Sequence, residues 1–185
     1  MGAGGLGREV ACWALDAHWT VAGFLDDNST ALVRKSMPIP ILGGLADFVP
    51  KDGFYLVIAI GQPSVRRSLQ ETLVEKGAQF ANVIHPTAVV AQTARLGIGL
   101  VIAPFSLISA NALVGDGVVL NYHTVIQHDT EIGAWSQLNS HADVGPSSIL
   151  GEEVVVGTHA VIPPRVRVPT RSVIAPNSVF LETGA

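Results

Sequence analysis

The chain has a single cysteine, Cys12, in 185 residues, so no disulfide can form within it. Charge is scarce as well. Only 14% of the residues are Asp, Glu, Lys or Arg, the net charge is −4 and no run of lysines or arginines occurs, which argues against a nucleic-acid footprint or an electrostatic membrane anchor. Small molecules are the expected partners. No basic stretch followed by an apolar core opens the chain, so no signal peptide is expected and a cytoplasmic location follows. Residues 96–115 carry no charge and have the length of a membrane helix, yet their glycines, Pro104 and a non-helical period oppose that reading.

What the sequence does hold is 48% apolar residues, ample for a core, and much of this content is strictly periodic. Stepping by six from Val90 through Leu96, Ile102 and Ile108 to Ile174 and Phe180 meets an aliphatic or aromatic residue at all sixteen positions. Two residues before each stands Ser, Thr, Ala or Val in fifteen cases, Leu100 being the exception. Gly often follows directly, as at Gly97, Gly115, Gly133, Gly145, Gly151 and Gly157, and is expected to supply a positive-φ corner. A period of six over some ninety residues fits neither a helix nor simple strand alternation. It predicts a left-handed parallel β-helix of about five coils, three hexads to each triangular coil, every coil burying its inward face against the next. Between His85 and Leu150 the only charged residues are Arg95, Asp116, Asp129, Glu131 and Asp143, too few to solvate three faces. Further copies of the chain are expected to cover part of the exterior, as in a homotrimer.

The first 84 residues read differently. GAGGLG (residues 2–7) matches G-x-G-x-x-G, a helix-compatible run follows from Arg8 to His18, and the strand TVAGFLDD ends on Asp26 and Asp27 about twenty residues on, as in a nucleotide-binding βαβ unit. YLVIAIG (55–61) reads as a buried strand, Pro63 as the first turn of a helix and Gly77 as its cap, and QFANVIHP leads into the coils. The expected division is a small Rossmann-like parallel α/β domain over 1–84 and the β-helix over 85–185. Such a glycine loop normally follows a central strand, and only Met1 precedes Gly2. A strand missing upstream is therefore expected. A unit of this size suits the pyrophosphate of a nucleotide sugar, met by backbone amides at a helix N-terminus, better than a whole dinucleotide.

Most histidines read as structural: His18 at a helix end, His85 before Pro86, His141 and His159 at outward corners. Trp135 reads as interface packing. The dipeptide His128–Asp129, set at a corner between Ile126 and Ile132, is either a base with its carboxylate or an ordinary polar corner.

GAGGLGREV, GFLDD and IAIG running into hexads that hold HD in the middle coils resemble the bacterial sugar acetyltransferases related to sialic acid O-acetyltransferase and to the N-acetyltransferases of nucleotide-linked 4-amino sugars. The resemblance spans essentially the whole chain. It implies acetyl transfer from acetyl-CoA to a sugar amine or hydroxyl, in a trimer with active sites between adjacent β-helices. It assigns His128 as general base, Asp129 as the carboxylate that supports it, and Asn121 as a contact to the acceptor amine. Gly5, Leu6, Asp26, Asp27 and Gly61 match positions that hold the nucleotide of the sugar donor. Gln137 stands where the amino-sugar enzymes place a second histidine near the thioester. Gly145–Pro146 replaces their Ala-Gly, and proline lacks a backbone donor. Gly157 and Thr158 are carried over for the pantetheine arm of CoA. The acceptor is expected to be an amine on a nucleotide-linked 4-amino sugar, with O-acetylation of a sialic-acid-type sugar as the alternative. His123 and His128, spaced H-x4-H, also resemble the zinc site of gamma-class carbonic anhydrases, but Thr87 occupies the position of the third histidine, so no metal is expected. An inactive scaffold is a further alternative.

Overall fold

The computed structural model describes residues 2–33 and 35–181; the outer ends of both expected segments, Met1 and residues 182–185, lie outside them. The helices α1 (Gly5–Asp16) and α2 (Pro63–Glu75) accompany strands β1 (Phe24–Leu25), β2 (Ile41–Gly43), β3 (Tyr55–Leu56) and β4 (Gln79–Phe80). From β5 (Val83–Ile84) onward, two-residue strands recur every six residues to Val173–Ile174. They stack in parallel as three sheets of five, six and five strands. Leu113 pairs with Glu131 and Glu131 with Ile149, so one coil is 18 residues.

The hexad pattern became the core. Ile102, Ile108, Leu120, Ile126, Leu138, Val144, Val156 and Ile162 are all fully buried, and the small residues two positions earlier fill the prism beside them. Where that small residue carries a hydroxyl, it donates to a backbone carbonyl, as Ser106 does to Asn121 at 2.9 Å and Ser148 to Pro163 at 2.7 Å, which removes the cost of burying it.

The glycines after the aliphatics serve another purpose than the one expected. None of Gly97, Gly115, Gly133, Gly145, Gly151 and Gly157 has positive φ; the left-handed corner falls two residues later, at Phe105, Asn111, His123, Asp129, Trp135, His141, Ser147, Glu153, His159 and Arg165, with φ between 56 and 62°. A Cβ on Gly115 would stand 2.7 Å from Ala134 N, and one on Gly157 2.5 Å from Pro176 N. Glycine is required there because the backbone of the next coil passes too close.

The prism has three edges, each a column of left-handed residues one coil apart. Phe105, His123, His141 and His159 form one, Asn111, Asp129, Ser147 and Arg165 the second, and Gly117, Trp135, Glu153 and Arg171 the third. The α/β unit covers the six-stranded face. Val10, Trp13 and Ala14 of α1 pack on Val83, Val101 and Val119, whose outward side chains are consequently buried. Part of the charge-poor exterior is thus covered from within the chain, while the five-stranded faces leave Val89 and Leu113 exposed.

Inside the α/β unit the sheet is discontinuous. Among the described residues β1 pairs with β2 alone and β3 with β4 alone, all parallel. A cavity of about 1020 Å³ lies between the two pairs, lined by Phe24 and Leu25 on one side and Tyr55 and Leu56 on the other. Among the described residues no helix is long and apolar enough to cross a membrane, and residues 96–115 lie within the coils.

Candidate active site

The glycine loop forms as its motif implies. Gly2 takes φ 85° and donates its N–H to Leu25 at 2.8 Å, Gly4 is the N-cap of α1, and Gly7 has no room for a Cβ because Gly2 O lies against it. Gly5 and Leu6 form the first turn of α1, where N–H groups lack intrahelical partners and the helix dipole favours anions. Asp26, just after β1, accepts from Ala3 N at 2.7 Å and from Asn28 N at 2.8 Å. Asp27 accepts from Leu45 N at 2.8 Å. Both carboxylates therefore shape the loops around the helix N-terminus.

Gly61 leads into α2, and the next turn carries a residue that sequence reasoning passed over. Arg66 is fully buried. It donates to Gly117 O at 2.7 Å, Trp135 O at 2.5 Å, Ser136 O at 3.1 Å, Ile60 O at 2.5 Å and Gln137 Oε1 at 3.4 Å. Burial lowers its pKa to about 10, so it stays cationic at neutral pH. The inward stripe of α2 is Arg66, Gln70 and Leu73, polar where an apolar stripe is the rule, so the pattern of the helix did not single Arg66 out as buried.

Arg66 also fixes the polarity of its neighbours. A guanidinium only donates, so Gln137 presents Oε1 to it and turns Nε2 towards Asn139 Oδ1 at 3.4 Å. Asn139 Oδ1 also receives Asn121 Nδ2 at 3.5 Å, and among the described residues no donor meets Asn121 Oδ1. Asn121 is thereby linked to the Gly61 loop. Gln137 itself is buried, with its amide engaged on both sides.

His128 and Asp129 occupy a different edge. Their side chains are 57% and 49% exposed, with His128 Nδ1 2.7 Å from Asp129 Oδ2. Hydrogen bonds from His128 and then from Asn111 hold the Asp129 carboxyl below the ordinary aspartate value. A groove of about 380 Å³ lined by Arg95, Leu113, Glu131 and Ala134 opens on the face beyond this edge. Asn121 comes just before the His123 edge and His128 just before the Asp129 edge, so the face that carries Val125–Ile126 separates them along the chain. The chain brings Gly5, Leu6, Asp26, Asp27, Gly61, Asn121 and Gln137 to one side of the prism. It does not bring His128 and Asp129 to them.

Gly157 and Thr158 adjoin the edge where Phe105, His123, His141 and His159 stack, with centroids 5.1, 4.8 and 4.5 Å apart. His123 therefore lies on another edge than His128. His85 ties the first coil to α1, with Nδ1 2.8 Å from Thr87 Oγ1 and Nε2 3.3 Å from Asp16 Oδ2. Trp135 lies beneath Arg67, whose guanidinium carbon is 4.6 Å from the ring, and so packs between α2 and the coils. Arg67 pairs with Glu71, Glu152 and Glu153, and its hydrogen bond is the main cause holding Glu153 below the usual range.

Residues 1–73 match the PglD N-terminal domain family. Nearly the whole chain is similar to several solved structures. A point variant of perosamine N-acetyltransferase from Caulobacter crescentus, solved with CoA and GDP-perosamine, is 26% identical over 98% of this chain and 86% of that one, with a TM-score of 0.89. The acetyltransferase domain of PglB from Neisseria gonorrhoeae, solved with acetyl coenzyme A, is 24% identical over 96% and 94%, with a TM-score of 0.73. WeeI from Acinetobacter baumannii is 20% identical over 100% and 95%, with a TM-score of 0.57. The latter two likenesses concern the fold. No curated protein matches the chain.

Proposed function

We infer that this chain, a hexapeptide-repeat sugar acetyltransferase with a PglD-type N-terminal domain, transfers an acetyl group from acetyl-CoA to the amine of a nucleotide-linked 4-amino sugar. The observation that carries the mechanism is the 2.7 Å contact of His128 Nδ1 with Asp129 on an exposed edge. A carboxylate there keeps the proton on Nδ1, so Nε2 offers its lone pair outward. As the amine nitrogen attacks the thioester carbonyl and the C–N bond forms, Nε2 takes the proton that the nitrogen loses. The C–S bond then breaks, and the imidazolium returns the proton to the departing CoA sulfur. No covalent enzyme intermediate is involved.

The nucleotide lies at the α1 N-terminus among Gly5, Leu6, Asp26, Asp27 and Gly61, and the sugar extends towards Asn121, whose Oδ1 suits an amine N–H better than a lone-pair acceptor. Gly157 and Thr158 approach the pantetheine arm; Gln137 contributes through Asn139. Since His128 stands a face width from Asn121 in one chain, the site is completed by a second copy in a homotrimer. Both substrates are metabolites of the cytoplasm, which is where the enzyme acts. A thiol-release assay with acetyl-CoA against nucleotide-linked 4-amino sugars and free sialic acids tests the reading. Release with an amino sugar, lost in His128→Ala, is the expected result. Release by His128→Ala at the wild-type rate overturns the mechanism, and turnover of sialic acid alone overturns the acceptor.

A further inference from the structure

We propose that Asn111 is a positioning residue for the His128 base. The proposal rests on the reading of His128 above and assigns a role to a residue one coil away from it. Asn111 Nδ2 donates to Asp129 Oδ1 at 3.0 Å, while Asp129 Oδ2 meets His128 Nδ1 at 2.7 Å. Each carboxylate oxygen therefore has its own partner. The carboxylate cannot rotate without losing one of them.

The backbone prepares this arrangement. Asn111 and Asp129 are 18 positions apart, and both are left-handed, at φ 58 and 57°, so their side chains leave the same edge in the same direction. Asp129 N donates to Ala110 O at 3.0 Å and Asn111 N to Thr93 Oγ1 at 3.0 Å, which anchors the column. Asparagine is among the few side chains that accept this conformation readily.

The pair needs such a clamp because it is exposed. A carboxylate and an imidazole in contact with water gain little from mutual attraction and exchange it easily for hydration. Asn111 converts the loose pair into a fixed series of donor and acceptor, and so holds the tautomer with Nδ1 protonated and Nε2 free. Other charged groups near this edge are Glu131 and Arg95 on the face beyond it, Asp143 on the face before it and Arg165 two coils on. Asp143 accepts from Gln127 Nε2 at 3.0 Å, and among the described residues none of these four pairs with His128 or Asp129.

Two variants test the role. Asn111→Gly keeps the left-handed backbone without strain and removes the donor; Asn111→Asp keeps the shape and replaces the donor with a like charge. Ring ¹⁵N shifts report the His128 tautomer and carboxyl ¹³C shifts report the Asp129 titration, neither of which depends on turnover. In Asn111→Gly the Asp129 midpoint rises, the tautomers mix, and kcat falls about tenfold with KM within about twofold. Asn111→Asp raises the Asp129 midpoint further, and Asn111→His, a donor tolerated at this φ, restores kcat. Wild-type tautomer, midpoint and kcat in both Asn111→Gly and Asn111→Asp overturn the proposal while His128→Ala remains inactive. If His128→Ala is active, the functional reading has failed and the two spectroscopic readouts decide the role of Asn111 on their own.

Discussion

Two edges of the same prism carry histidines, and they are not equivalent. His123, His141 and His159 occupy the left-handed position of successive coils, so their rings point the same way and stack at 4.8 and 4.5 Å. His128 stands one residue before that position, and the left-handed residue beside it is Asp129. One place in the hexad yields a column of like rings; the place before it yields an imidazole beside a carboxylate. Histidine chemistry in this fold is set by hexad position and by what stands one coil away.

The sharpest way to break the comparison is to exchange the roles. His128→Ala is expected to lower kcat by about 10²–10⁴-fold, the contribution typical of a positioned general base, while His141→Ala stays within about twofold in the same thiol-release assay. Equal losses would mean that the edges do not differ in function.

The third edge offers the largest expected effect on stability. Arg66→Leu removes the donor from the carbonyls of Gly117, Trp135 and Ile60, at a cost of about 3 kcal/mol or more if they remain buried and unpaired. A marked fall in the thermal midpoint checks it.

The two glycine-bearing positions of the hexad should differ in sign. Gly157→Ala drives a Cβ into Pro176 of the next coil and is expected to cost about 1–3 kcal/mol. Arg165→Gly, at φ 62°, relieves a left-handed residue and is expected to be neutral or stabilising by up to about 1 kcal/mol. Urea midpoints of the two variants provide the test.

The smallest effect belongs to the stacked rings. Desolvation and then the charges of His159 and His123 hold His141 below the ordinary histidine value of 6.5. The folded chain thus binds fewer protons than the unfolded chain, and stability declines as pH falls from that value towards the folded one. His141→Asn is expected to flatten the decline, measured as the thermal midpoint across pH 7.5 to 5, a range spanning the usual histidine transition of about 6.5.

The coils were legible residue by residue. Each aliphatic from Ile102 to Ile174 lies inside, because a period that survives over so many positions leaves few ways to bury them. The local purpose of the glycines was not legible: lack of a Cβ serves positive φ and close approach alike, and only the neighbouring backbone distinguishes them. Arg66 was hidden for a related reason. An arginine within an amphipathic helix reads as a solvated side chain until the carbonyls that receive it are in place. Asn111 was within reach, since 18 residues separate equivalent corner positions, but a corner asparagine has many uses.

The sequence by itself determined the repeat, its register and the placing of His128 beside Asp129, since these depend on spacing along the chain. Tertiary structure alone decided which groups meet across coils and domains. It joined Asn111 to Asp129, and Arg66 through Gln137 and Asn139 to Asn121. It also set His128 a face away from the glycine loop. The reason is physical: hydrogen bonds between residues 18 or 71 positions apart depend on how coils stack and on how α2 docks, and no local period encodes either.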